Sequence, residues 1–193
     1  MSRFSLTTRL ATRDDAPVLA ELWSDVVRRA DRTEQVADLE LVIKGASASP
    51  EQRLVVVEYD DQPAGAVFLK ISTLSSLNLE PCVQAIHPRV LPQFRRHGAG
   101  HALMEAAAAF AEDNGVLHVV TSVSHASREA NRFMARLGLA PVVLYRLAPT
   151  AVLRSRVSPQ RSAGAAENTR SKVLAARRSL RRARAERDTL PGI

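Results

Sequence analysis

The chain has 193 residues, 46 % hydrophobic and 4 % aromatic, with a formal charge of +7; that is room for one ordinary domain with an aliphatic core, plus an appendage. Its single cysteine, Cys82, excludes an intramolecular disulfide and any Cys/His metal spacing. With no long apolar run for a membrane span and no apolar core in the opening MSRFSLTTRLATRDD, a soluble cytoplasmic protein without a bound metal is expected.

Charge is unevenly placed. From Ala151 onward ten arginines and one lysine face three acids, a surplus of +8 that leaves the preceding 150 residues at −1. The high isoelectric point therefore belongs to the tail.

In chain order, residues 7–11 (TTRLA) read as a short strand, and Thr12-Arg13-Asp14-Asp15 supplies capping side chains and negative charge for a helix start. Leu19, Leu22, Trp23 and Val26 then recur at helical spacing. A second helix is expected from Thr33, with Val36, Leu39, Val42 and Ile43 on one face and Gly45 near its end. Its acids Glu34, Asp38 and Glu40 offer a groove for a cationic acceptor, or simply a polar face. Residues 53–59 (RLVVVEY) and 64–72 (AGAVFLKIS), joined by the turn Asp60-Asp61-Gln62-Pro63, form a hairpin.

Residues 74–81 are an irregular bridge. A strand over 83–91 contains Pro88, so a bulge or splayed end is expected there. A helix over 98–114 ends at Gly115, a strand follows over 118–124, and a helix over 127–137 stops at Gly138. Pro141–Leu147 (PVVLYRL) reads as a closing strand, with Ala151–Val157 as a further candidate. The alternation in the second half implies an α/β sheet with some parallel pairing. Beyond Pro149 a Ser/Ala/Arg/Gly linker precedes a helix-prone segment, 172–187.

The chemistry concentrates in Val90-Leu-Pro-Gln-Phe-Arg-Arg-His-Gly-Ala-Gly-His-Ala-Leu103. Two arginines and two glycines stand between a strand end and the first turn of a helix. Glycine admits backbone conformations closed to other residues, and the unpaired N–H groups of a helix start attract anions. The physical reading is a cradle for a pyrophosphate. The pattern is not G-x-G-x-x-G and follows a hairpin, which argues against a dinucleotide fold.

This segment resembles the cofactor motif of the GNAT acetyltransferase superfamily, Arg/Gln-x-x-Gly-x-Gly/Ala, here Arg95-Arg96-His97-Gly98-Ala99-Gly100. The element order over residues 5–148 is similar to that of the family. A second family motif, N-x-x-A-x-x-F-Y-x-x-x-G-F, has a partial counterpart in Ser127, Ala130, Phe133 and Gly138. The resemblance implies a mixed-sheet α/β acyl-CoA N-acyltransferase domain over residues 1–150, followed by a basic tail over 151–193. It implies acetyl-CoA as cosubstrate and a primary amine as acceptor: a small molecule, a peptide N-terminus or a lysine.

It also implies that amides across Arg96, His97, Gly98, Ala99 and Gly100, with the charge of Arg95, hold the CoA diphosphate. The main chain near Val90 would pair with the pantetheine arm where two parallel strands part. An N–H of that strand would polarise the thioester carbonyl.

Two positions depart from the pattern. Met134 stands where the family often has a Tyr able to protonate the thiolate, and Ser127 stands in place of Asn, with Asn131 one turn further on as a substitute contact to pantetheine. A general base is not assigned. Gln84 occupies the position of a glutamate used by some members, and Glu80 lies upstream. His87 and His125 are the candidate proton acceptors, with a water chain as the alternative. A non-catalytic acetyl-CoA-binding sensor or adaptor therefore stands as an alternative to the enzyme. A third reading is a nucleic-acid or other polyanion contact through the tail arginines, without aromatic side chains for base stacking. Oligomeric state, homodimer included, is left open.

Overall fold

The computed structural model describes residues 5–124 and 126–157, and its contacts divide the chain into two compact units, Met1–Ala140 and Pro141–Ile193. In the first unit the elements are β1 (Leu6–Leu10), a 3₁₀ turn (Arg13–Asp15), α1 (Ala16–Leu22), α2 (Arg32–Ala48), β2 (Gln52–Tyr59), β3 (Gln62–Thr73) and β4 (Pro81–Val90). A second 3₁₀ turn (Pro92–Phe94), α3 (Ala99–Asp113), β5 (His118–Thr121) and α4 (Arg128–Arg136) complete it. The five strands form one mixed sheet in the order β1-β2-β3-β4-β5, antiparallel except for the parallel pair β4–β5.

Side-chain alternation along β2 explains the layering. Leu54 and Val56 pack with Leu19, Trp23, Leu39 and Ile43 of the α1–α2 region, whereas Val55 and Val57 pack with Leu103, Ala107 and Phe110 of α3. All four are buried because helices cover both faces of the sheet. The α3 face also takes Met134 and, partly buried, Phe133 of α4.

The start of α1 is held by charge. Asp15, 4 % exposed, accepts from the Thr12 backbone N–H at 2.7 Å and takes both terminal nitrogens of Arg9 at 2.7 and 2.8 Å. Burial alone would raise its carboxyl. The Arg9 hydrogen bonds, then the Thr12 N–H, outweigh that and hold it below the ordinary range. Arg9 also donates to Glu58 at 2.7 Å, which ties β1 to β2 and to the helix start.

The prolines act as expected on β4. Its pairing with β3 shifts register between Ala66 and Phe68, and His87 adopts a positive φ of 47°. That is a bulge beside Pro88. Further along, a Cβ on Gly65 would come within 2.3 Å of the Arg89 carbonyl oxygen, so only glycine lets the two strands lie this close. Helix α2 runs through Gly45 to Ala48, and α3 and α4 stop before Gly115 (φ 66°) and Gly138 (φ 84°).

In the second unit, the expected closing strand does not form. Residues 141–149 carry no regular structure, and Val142, Val143, Leu144, Tyr145 and Leu147 are exposed. β-branched composition favours a strand only when a neighbour completes the ladder, and the sheet has five strands among the described residues. Residues 150–157 are helical rather than the strand expected over 151–157, with the Leu153 N–H donating to the Pro149 carbonyl at 3.0 Å. The segment 172–187, and most of the tail arginines, lie outside the described residues.

Candidate functional site

The parallel pair β4–β5 extends only from Cys82–His118 to Ala85–Thr121, while β4 continues to Val90. Beyond Ala85 the two strands part. The Leu91 N–H donates to the Ala64 carbonyl on the β3 side at 2.8 Å. Strand alternation therefore turns the Val90 N–H and C=O the other way, toward the gap. A cavity of about 960 Å³ opens there, within the range of small-ligand sites.

One wall is the end of β4, from His87 to Leu91. The floor is the loop into α3. Arg96 (φ 66°) and Gly98 (φ 90°) are both left-handed, with Gly98 at the N-cap of α3. The first intrahelical bond runs from the Ala102 N–H to Gly98 at 3.1 Å, which leaves the amides of Ala99, Gly100 and His101 with no partner in their own helix. These amides, beside a loop bent by two left-handed residues, make a nest of N–H groups, here at the positive end of a 15-residue helix. The charged lining is four arginines (Arg89, Arg95, Arg96 and Arg136) against two glutamates (Glu21 and Glu129). Arg89 is tied to Asp25 through two hydrogen bonds, one of 2.7 Å, and this pairing lowers the Asp25 carboxyl. The far wall is Ser122–Ser124, Ser127, Ala130 and Phe133.

Of the residues expected from sequence, Val90, Arg95, Arg96, Gly98, Gly100, Ser127 and His87 line this one cavity. His97, Ala99 and Asn131 do not. His97 packs its ring on Tyr59 with centroids 5.0 Å apart, and Ala99 is buried. Asn131 donates to the Ser124 and Ser127 carbonyls at 3.0 and 2.7 Å. Ser127 caps α4, its hydroxyl accepting from the Ala130 N–H. His125 lies outside the described residues.

Gln84 lies within the β4 ladder between Lys70 and Val120 and does not line the cavity. Glu80 sits at the opposite end of β4, 3.2 Å from His118. Met134 is buried in the core. Residues that motif reading missed include Glu21 and Leu22 from α1, Arg89, His101, Ser122, Ser124, Glu129 and Arg136. Only Arg136, three residues beyond Phe133 on the same helix, carried a spacing signal.

The acids of α2 are engaged elsewhere. Glu34 and Asp38 pair with Arg28, and Glu40 with Arg13 at 2.8 Å. None lines the cavity. Among the described residues no group of His, Cys, Asp and Glu is placed to hold a metal, and no helix is long and apolar enough to cross a membrane.

A mixed sheet with helices on both faces and a parted parallel pair above a helix start is the acyltransferase type of α/β fold that the sequence implies, and solved structures share it. A transcriptional regulator from Bacillus halodurans superposes with a TM-score of 0.62 at 18 % identity, covering 75 % of this chain and 99 % of its own. A glucosamine-6-phosphate N-acetyltransferase from Arabidopsis thaliana gives 0.59 at 16 %, covering 76 % and 99 %. An aminoglycoside N-acetyltransferase in complex with CoA gives 0.61 at 16 %, covering 77 % and 98 %. No curated protein gives a significant match in sequence. Residues 17–139 match the acetyltransferase (GNAT) family, and the chain belongs to that family.

Proposed function

We propose that the chain transfers the acetyl group of acetyl-CoA to a primary amine. One observation carries the reading: a single cavity joins the open edge of β4 at Val90 to the amide nest and arginines at the start of α3. A diphosphate suits the nest, because the amides of Ala99, Gly100 and His101 have no partner in their own helix and Arg95 and Arg96 add positive charge. The cosubstrate supplies an activated thioester carbonyl and a thiolate leaving group. The Val90 N–H, aimed into the gap, hydrogen-bonds that carbonyl oxygen as charge grows on it.

His87 lines the cavity just ahead of Val90, and its backbone carbonyl accepts from the Trp23 indole N–H at 2.9 Å, which fixes the bulge that carries it. Its imidazole, bordering the β4 end of the cavity, takes a proton from the substrate ammonium and frees the amine to attack. The amine nitrogen bonds to the carbonyl carbon, the C–S bond breaks, and the proton released by the amine neutralises the thiolate. No side-chain acid is needed in the place of the buried Met134.

Calorimetry of acetyl-CoA binding, followed by thiol release across a panel of primary amines, tests this. Saturable heat and amine-dependent thiol are expected, and no heat of binding refutes the assignment. The buried Met134 favours one second reading, an acetyl-CoA-binding module without turnover; heat with no thiol from any amine selects it.

A further inference from the structure

His87 is also a wall of a second cavity, of about 170 Å³, on the α1–α2 face of the sheet. Trp23, Val27, Leu39, Phe68 and Ile86 make it apolar, and Val26 and Val42, 40 % and 41 % exposed, stand at its opening. His87 is the one lining residue with an ionisable side chain. The α2 acids that would recognise a second cationic group are held by Arg28 and Arg13. The larger cavity runs from the amide nest of α3 to Glu21 and Leu22 of α1, and the two cavities meet at His87.

From this arrangement we propose that the acceptor is a monoamine bearing a compact apolar group, a phenyl or branched alkyl, seated between Trp23, Leu39, Phe68 and Ile86 with its nitrogen at His87. The inference rests on the acetyltransferase reading and specifies its acceptor. Size supports it, because an apolar cavity of about 150 Å³ accommodates benzene. Continuity supports it too. His87 lines both cavities, so a nitrogen seated beside it in the small one borders the larger, where the thioester would lie. A polyamine or a lysine-rich peptide would place a second charge among apolar side chains, with no acid in the lining of the small cavity to meet it.

Trp23 is the single tryptophan of the chain, so its emission reports directly on the pocket. With full-length protein and CoA present, benzylamine is expected to change that emission saturably and to shield it from acrylamide. 1,4-Diaminobutane at equal concentration is expected to do neither. In turnover, kcat/KM should rise about 100-fold from methylamine to benzylamine, near the upper end of the gain for burying a whole phenyl-sized side chain, and fall again for a naphthyl amine. Val42→Phe, which narrows the opening, should lower the benzylamine-to-methylamine ratio about tenfold.

Three results overturn the proposal: no response of Trp23 to benzylamine, a preference for the diamine, or isovaleryl-CoA producing the Trp23 response and blocking that of benzylamine, which would make the pocket an acyl site. The fluorescence result stands without turnover. If acetyl-CoA gives no heat while benzylamine still shields Trp23, the acetyltransferase reading falls and the pocket remains. The reverse pattern removes the pocket alone.

Discussion

The ring of Phe133 occupies the space that a side chain on Gly100 would need: a Cβ built there would lie 3.3 Å from Phe133 Cζ, with two further ring atoms at 3.7 and 3.8 Å. The last glycine of the cofactor motif is thus a packing residue, seating α4 against the first turn of α3. Phe133, from the second motif, is its partner. The two motifs are two sides of one contact, which also forms a cavity wall.

That contact predicts the outcome of enlarging Gly100. Gly100→Ala gains helix propensity of about 1 kcal/mol and needs only a small shift of the ring, so its stability should stay within about 0.5 kcal/mol of the parent. Gly100→Val overpacks the site and should cost about 2 kcal/mol. Phe133→Ala in the same chain should recover part of that loss. Urea unfolding of the two single variants and the double measures the coupling; strictly additive losses would show that the ring is not the obstacle.

Gly98 is constrained for a different reason. A Cβ there would meet only Leu6 Cδ2 at 3.5 Å, an ordinary contact, yet φ is 90°. Gly98→Ala should therefore cost about 1–2 kcal/mol from backbone conformation alone, and Gly98→Asn less, because Asn tolerates the left-handed region. Urea midpoints of the two variants check the order.

These residues also show what sequence can and cannot disclose. The hairpin, α1–α4 and the loop at Arg95–Gly100 are legible because each rests on local pattern: the β-branched run in RLVVVEY, helical spacing at Leu19, Leu22 and Trp23, glycines at helix ends. The bulge at His87 is foreshadowed by Pro88. The pocket at Trp23 is not legible, since Phe68 and Ile86 reach it from strands that only the folded sheet brings together. Nor is the engagement of Glu34, Asp38 and Glu40 by Arg28 and Arg13, which turns an apparent acidic groove into a set of ion pairs. PVVLYRL fails as a strand for a related reason: its composition is right, but ladder partners are not encoded in the segment itself.

Asp15 gives the fold a defined acid limit. Its carboxyl is held below the ordinary 3.8, so its stabilisation is fully present above that pH and is lost as pH falls through the lower folded value. Asp15→Asn should destabilise the protein by about 2 kcal/mol at pH 7, discounted because Arg9 is 34 % exposed. The gap between parent and variant should be level from about pH 5 upward and narrow below about pH 4. A gap that instead widened toward low pH would mean that Asp15 is neutral in the folded state.

Arg96 separates function from stability most sharply. Its φ of 66° places a non-glycine residue in the left-handed region, and its side chain is exposed along the cavity, so the chain carries backbone strain of about 1 kcal/mol with no buried contact to offset it. Arg96→Gly relieves the strain and should raise stability by up to about 1 kcal/mol. The same change removes a charge aimed at the proposed diphosphate and should weaken acetyl-CoA binding about tenfold. Arg96→Ala loses the charge without gaining the freedom, so it should bind as weakly as the glycine variant while being less stable. The parent's affinity should also fall more steeply with salt than that of either variant, because a screened charge is what they lack. Calorimetry at two ionic strengths, paired with urea melts, reads both quantities. Should Arg96→Gly lose stability and keep its affinity, the left-handed turn would be serving the fold, and the anion cradle would have to be built without it.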